Sequence, residues 1–298
     1  MPTANLGIGS GLTSTLGTGT GTANLGTGSG LVADLKDPGA AAATYGTEYQ
    51  AVYDSYTTKP DVATAIIWNT FVSGLVTTGE WSLLDVMYVL SSHINTAGEA
   101  LKNWILPGTY DATAYNSPAF TVSEGFLFDG ASDYVDTNYN PSTDATNYER
   151  DSASFGLYIR TNVSGVSRHG IDGSADSKDC RICPNSSGNV WFEINEKTYE
   201  TVSVTGGSGM IIATRTASNV KKLYRNKSLR TTKTTASIGI PTSSFFIGAS
   251  NNDGAPAYFR PDQVSLAFMG GGLEQANVDN ITDAFEVAMD ALGKGVIA

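Results

Sequence analysis

The hydrophobic pattern changes period along the chain. Tyr45, Tyr49, Tyr53 and Tyr56 stand at helical spacing and predict a packing face. Pro60 marks the start of a further helix, since proline is tolerated in a first turn. Ile66, Ile67, Phe71 and Leu75 carry that period on, with Gly74 and Gly79 weakening its end. Trp81, Leu84, Val86, Met87, Val89 and Leu90 predict a strongly apolar second helix over 80–92, and a third short one is expected over 96–104. From Tyr110 the pattern switches. Short runs rich in Val, Ile, Phe, Tyr and Thr, over 125–129, 152–161, 189–195, 210–216, 222–226, 244–249 and 263–270, alternate with Gly, Asn, Asp and Ser turns. Such runs predict an antiparallel sandwich. Residues 273–292 return to helical spacing through Val278, Ile281, Phe285 and Met289, and Gly293 suits the C-terminal cap.

The start of the chain follows neither pattern. Its first thirty residues hold nine glycines and no charge. Leu6-Gly7-Ile8-Gly9-Ser10-Gly11 returns as Leu16-Gly17-Thr18-Gly19-Thr20-Gly21 and as Leu25-Gly26-Thr27-Gly28-Ser29-Gly30. A flexible linker is one reading. A linker has no need of a regularly spaced Leu, however. An arm laid along another protein would use Gly9, Gly19 and Gly28 for close backbone approach and Leu6, Leu16 and Leu25 to fill pockets. The Gly-x-Gly runs are not nucleotide loops, because no strand precedes them and no Gly-Lys-Ser/Thr follows. The expected divisions are a docking arm over 1–36, a helical base and connector over 37–109, and a sandwich with its closing helix over 110–298.

Charge narrows the function classes. The 298-residue chain has a net charge of −11 and only 16% charged residues, so phosphate backbones are repelled and nucleic acid is not an expected partner. The basic cluster of Lys221, Lys222, Arg225, Lys227, Arg230 and Lys233 reads as the solvated face of a hairpin. No apolar run is long enough to span a membrane, and the N-terminus shows no signal peptide.

Several runs resemble a known family. Phe128-Asp129-Gly130-Ala131-Ser132-Asp133-Tyr134-Val135 resembles the entry strand and turn of concanavalin A-like (laminin G-like) jelly-roll modules. Residues 152–160, 246–250 and 263–273 resemble later strands of the same modules. The order of a Trp-x-Leu-Leu-Asp run at 81–85, a jelly roll, a Gly-Gly-Gly-Leu turn at 270–273 and a closing helix is similar to virion proteins of tailed bacteriophages. The resemblance covers about residues 80–292. It implies a mainly β jelly roll, preceded by a short helical region and closed by a helix, displayed on a particle as capsid decoration, fibre or tail component. Other virion proteins would then receive the arm, and a homo-oligomer, by analogy a trimer, is expected.

Candidate chemistry is sparse. Cys180-x-x-Cys183 has no second Cys pair for a zinc site, and His93 and His169 are the two histidines. Glu193-Ile194-Asn195-Glu196 approaches the carboxylate pattern of jelly-roll glycanases. Strand alternation would place Glu193 and Asn195 on one face, where Asn cannot ionise. Residues 172–179 read as an acidic, solvated loop without calcium-loop spacing. No catalytic residue, metal or cofactor is therefore expected. The leading alternative is a receptor- or glycan-binding adhesin for host-surface polysaccharide. It would use the aromatics Tyr134, Tyr139, Tyr148 and Tyr258 beside Asn138, Asn140, Asn251, Asn252 and Asp253; the choice within this set falls on Tyr134, Tyr139, Asn251, Asp253 and Tyr258.

Overall fold

The structure, a computed structural model, describes residues 43–298 except 162, 166–168, 199 and 205. The arm residues Leu6, Gly9, Leu16, Gly19, Leu25 and Gly28 lie outside the described residues. Helices α1 (Thr47–Ser55) and α2 (Val62–Thr78) come first, followed by strands β1 (Leu84–Val89), β2 (Thr113–Tyr115), β3 (Ala119–Thr121), β4 (Gly125–Leu127) and β5 (Tyr134–Asp136). After the short helix α3 (Pro141–Asp144) run β6 (Ala153–Ile159), β7 (Ile171–Asp172), β8 (Asp179–Ser186), β9 (Asn189–Glu196), β10 (Glu200–Ser203), β11 (Gly209–Ala217), β12 (Val220–Arg225) and β13 (Ser228–Lys233). Strands β14 (Phe246–Ile247), β15 (Ser250–Asn252), β16 (Ala255–Ala257) and β17 (Gln263–Gly270) lead into α4 (Gln275–Ala291).

The strands form an antiparallel jelly-roll sandwich. One sheet has the order β13-β12-β11-β6-β17-β4-β3, and β1 also pairs with β17; the other has the order β10-β9-β8-β7-β14-β5-β2. Strand alternation then sorts the side chains. Phe155, Leu157 and Ile159 of β6 point between the sheets with Val86, Tyr88, Ile211, Ala213 and Ile247. Tyr158, Met210, Ile212, Leu266 and Phe268 point the other way, beneath the helices. A bulge in the β17–β6 register between Val264 and Leu266 keeps Ala267 and Met269 inward while Leu266 and Phe268 face out. Trp68 of α2 and Phe285 of α4 stack over this face with ring centroids 6.2 Å apart, and Trp104 meets Trp68 edge-on at 5.4 Å. Burying each such side chain contributes about 1.5–3 kcal/mol. The molecule is therefore three layers, and the helices consume the outer face of the first sheet.

Helix α2 begins later than the proline suggests. Asp61 is the N-cap, its carboxylate accepting from Thr64 N at 2.8 Å, and Pro60 precedes the cap. The helix runs through Gly74 and stops at Gly79, whose φ of 96° is the left-handed conformation that glycine adopts freely. Gly293, at φ 69°, closes α4 in the same conformation.

Two expected helices are absent. Residues 80–92 form a 3-10 turn, Glu80–Leu83, and then strand β1. Leu84, Met87 and Val89 face the helices while Val86, Tyr88 and Leu90 face the other sheet, so both sides of β1 are apolar. A strand buried on both faces loses its alternation and mimics a helical run. Over 96–104 the one helical turn is 3-10, Glu99–Leu101. The polar side chains there serve the backbone instead. Glu99 accepts from Ala97 N and Thr58 N, and Asn103 accepts from Met87 N and Ile105 N. Gly270, where β17 passes β1, requires glycine, because a Cβ there would sit 2.4 Å from Leu83 O.

Candidate functional site

The face of the sandwich that the helices do not cover belongs to the second sheet. There Val135 and Ile247 point inward, so Tyr134 and Phe246 point outward and form a small cluster with Ala249 and Phe259. Tyr115 of the edge strand β2 lies flat on Tyr134, with centroids 4.8 Å apart and planes 5° from parallel. On its other side Tyr134 meets Phe246 at 4.7 Å and Phe259 at 6.2 Å. The result is a row of rings across the end of the sheet.

Beside this row a cleft of about 320 Å³ is lined by Gly130, Ala131, Tyr258 and Phe259. One wall is the loop between β4 and β5. Asp129 Oδ1 gathers the amides of Ala131 and Ser132 at 2.7 and 2.8 Å, and Asp133 Oδ1 accepts from Asp129 N at 2.7 Å. Those backbone donors hold the Asp129 carboxyl well below the usual carboxylate range, while burial lifts that of Asp133 to about 6. Gly130, at φ 69°, packs against Pro261, where a Cβ would lie 2.9 Å from Pro261 Cδ. The other wall follows the β15–β16 hairpin. Asn251 Oδ1 accepts from Gly254 N and its amide donates to Ser244 O, which closes the Asn-Asp-Gly turn. Asp253 Oδ1 accepts from Asp176 N, pinning the hairpin to the loop before β8. Tyr258 leaves the hairpin at φ 48° and is 62% exposed.

Beneath Tyr258 lies a buried polar pair. The His169 ring meets the Tyr258 ring edge-on at 6.2 Å. His169 Nδ1 is 3.2 Å from Asp172 Oδ2 without hydrogen-bond alignment, and Asp172 accepts from Ser174 N at 2.8 Å and Ser250 Oγ at 2.5 Å. Burial lowers the His169 pKa to about 3, helped by the charges of Arg181 and Arg260; burial also raises that of Asp172 to about 7. Serine here bonds the aspartate and not the histidine, so the trio lacks the nucleophile–base contact of a hydrolase. Asp172 is fully buried, which corrects the reading of 172–179 as a solvated loop.

The sequence-selected residues divide. Tyr258 is exposed at the cleft, and Asp253 is exposed at the tip of the hairpin, outside the cleft lining. Asn251 is buried and builds the hairpin, and Tyr134 is buried between two rings. Tyr139 is in the core, where its hydroxyl donates to Asp85, and Tyr148 bonds Asn195 and Cys180. Neither offers a face to a sugar. Tyr115, Phe259, Gly130 and Ala131 complete the site and were not singled out from the sequence.

Other candidates resolve into structure. Glu193 is fully buried and held by both arms of the Arg181 guanidinium. Asn195 does not share its face. At φ 58° it breaks alternation and turns inward to Tyr148 and to the carbonyls of Glu149 and Arg150. Cys180 and Cys183 are both buried on β8, and burial pushes the Cys180 thiol up to about 12. The basic cluster is a solvated face only in part, at Arg230 and Lys227. Lys221 is fully buried against Glu196, while Lys222, Lys227 and Lys233 pair with Glu274, Asp283 and Glu200. Among the described residues no group of three or more His, Cys, Asp or Glu comes together, and no helix is long and apolar enough to cross a membrane.

No family model and no curated protein matches this chain. Solved structures similar to it include domain 4 of AbnA, a GH43 extracellular arabinanase from Geobacillus stearothermophilus, in complex with arabinotriose, at 12% identity and a TM-score of 0.46 over 67% of this chain and 98% of that one. The Ruminococcus gnavus IT-sialidase CBM40 is similar at 12% identity and a TM-score of 0.38, over 45% of this chain and 84% of that one. The receptor-binding domain of botulinum neurotoxin C/D mosaic serotype is similar at 13% identity and a TM-score of 0.46, over 68% and 51%.

Proposed function

We propose that this chain is a non-catalytic carbohydrate-binding protein that takes its ligand in the cleft beside Tyr258. The observation that carries the reading is the exposure of Tyr258 at the cleft mouth, beside a hairpin whose outward groups are Asn252 and Asp253. A phenol presents an apolar face to the C–H groups of a sugar ring, and amide and carboxylate groups accept and donate to its hydroxyls. The cleft of about 320 Å³, lined by Tyr258, Phe259, Gly130 and Ala131, has the size of a small-ligand site. The test is a glycan array followed by calorimetry on any hit. Tyr258→Ala should lose binding with the fold unchanged by circular dichroism. Undiminished binding by that variant overturns the assignment.

A second reading concerns where the domain is displayed. The repeated Leu/Gly arm and the order of motifs along the sequence favour a structural component of a tailed-phage particle, as capsid decoration, fibre or tail protein. In that setting the arm attaches to other virion proteins and the sandwich meets host-surface polysaccharide. Deletion of residues 1–30 should abolish incorporation into particles, measured by quantitative mass spectrometry, while leaving the sandwich folded. Incorporation at wild-type copy number refutes the anchoring role.

A further inference from the structure

Tyr115 is unusual for an edge-strand aromatic. It sits on an edge strand and is 41% exposed, yet one face of its ring is spent on Tyr134 at 4.8 Å. What remains open is the opposite face and an edge of the phenol. Its position is tied to the cleft twice. Tyr134 bridges Tyr115 to Phe259, a cleft-lining residue, and Asn116 Nδ2 donates at 2.8 Å to Ser132 O in the loop that carries Gly130 and Ala131. Among the described residues the strongly exposed tyrosines are Tyr115, at one end of this aromatic row, and Tyr258, next in sequence to Phe259 at its other end. Tyr134, itself packed on Phe246 and Phe259, supports Tyr115, while the ring beneath Tyr258 is that of His169.

We infer that Tyr115 is a second sugar platform, so that the ligand is a linear oligosaccharide or polysaccharide chain lying across the end of the sheet rather than a single terminal sugar. The inference rests on the carbohydrate reading above. The geometry adds the length of the ligand to it. A terminal-sugar site would need a single ring and a deep pocket; here the cleft is shallow and its rings extend sideways to the sheet edge. Tyr115 rests on a ring already held from two sides, so stacking on it costs little further ordering. An aromatic contact of this kind is worth about two- to tenfold in affinity.

The experiment is an array of linear gluco-, chito- and arabino-oligosaccharides, graded from monosaccharide to hexasaccharide, probed with the full chain. Wild type, Tyr115→Ala, Tyr115→Phe and Tyr258→Ala are compared, and thermal melts check each fold. The wild type should bind the longer chains and not the monosaccharides. Tyr115→Ala should lose about two- to tenfold on long chains and nothing on the shortest chain bound. Tyr115→Phe should bind as wild type, and Tyr258→Ala should bind none. A Tyr115→Ala variant that melts lower but binds long chains as wild type makes Tyr115 a lid on Tyr134 and overturns the inference while the carbohydrate reading stands. Wild-type binding that does not grow with chain length overturns it too. Binding of no array member by the wild type overturns the parent reading and this inference with it.

Discussion

The buried pair under Tyr258 makes a definite prediction about pH. In the folded chain Asp172 keeps its proton up to about pH 7 and His169 takes one only below about pH 3. Between those values the pair holds one proton, whichever of the two groups carries it. In the unfolded chain the aspartate titrates near 3.9 and the histidine near 6.5, so between about pH 4 and 6.5 the unfolded pair also holds one proton. Equal proton counts mean no slope from this pair, and its contribution to stability should be flat across that window. Removal of the histidine uncovers the aspartate. In His169→Asn the folded chain holds the Asp172 proton up to about pH 7 while the unfolded chain releases it near pH 4, so the unfolded state binds fewer protons and stability falls as pH rises. A shift of roughly three units at 1.36 kcal/mol each gives a loss of about 4 kcal/mol between pH 4 and 7. Conversely, Asp172→Asn leaves a histidine depressed from 6.5 to about 3, and stability should rise over pH 3 to 6.5 by a similar amount. The charges facing the pair are those of Arg181 and Arg260, which both variants retain. Urea denaturation at half-unit pH steps, taken as the difference between variant and wild type, reads the effect directly. A His169→Asn profile parallel to the wild type would refute the assignment of opposed, neutral partners.

Further outcomes follow from single contacts. Lys221 and Glu196 are both buried, so Glu196→Leu leaves the ammonium only Glu200 at 3.9 Å and should cost about 3 kcal/mol, a fall in melting temperature of roughly 6–12 °C, while Glu196→Leu with Lys221→Met should recover most of it. Gly270→Ala places a methyl against the Leu83 carbonyl and should cost about 1–3 kcal/mol by chemical denaturation, with loss of the β1–β17 register as the cause. Asp61→Ala removes the cap of α2 and should lower stability by about 1 kcal/mol in the same assay.

The sandwich was legible from Tyr110 onward because antiparallel strands are punctuated by turn residues, and Asn252-Asp253-Gly254 and the glycines at the end of β17, Gly270, Gly271 and Gly272, mark those turns. Strand β1 was not legible. Its neighbours on both faces are apolar, and pairing with β17, far along the chain, decides between strand and helix. The site was half legible for a related reason. Tyr258 follows a recognisable turn. Tyr139 and Tyr148 have the same local look, yet each buries its ring because a polar partner distant in sequence satisfies its hydroxyl. For Tyr139 that partner is Asp85, and for Tyr148 it is Asn195. A tyrosine's exposure depends on such partners, and a lone sequence does not display them. Asn195 failed the alternation rule through one left-handed backbone angle.

The layering bears on where the proposed recognition would fall. Helices cover the outer face of the first sheet, which leaves the second. The row Phe246, Asp172 and Arg181 crosses the middle of that second face in register and continues to Glu193. Its charges are closed on one another, since Arg181 serves Glu193 and Asp179 while Asp172 is held by serines. The lysines of the β12–β13 hairpin are likewise spent on carboxylates. What this side still presents to solvent is Tyr115 at the sheet edge and Tyr258, with Asn252 and Asp253 of the neighbouring hairpin. That combination suits a ligand with both an apolar face and many hydroxyls.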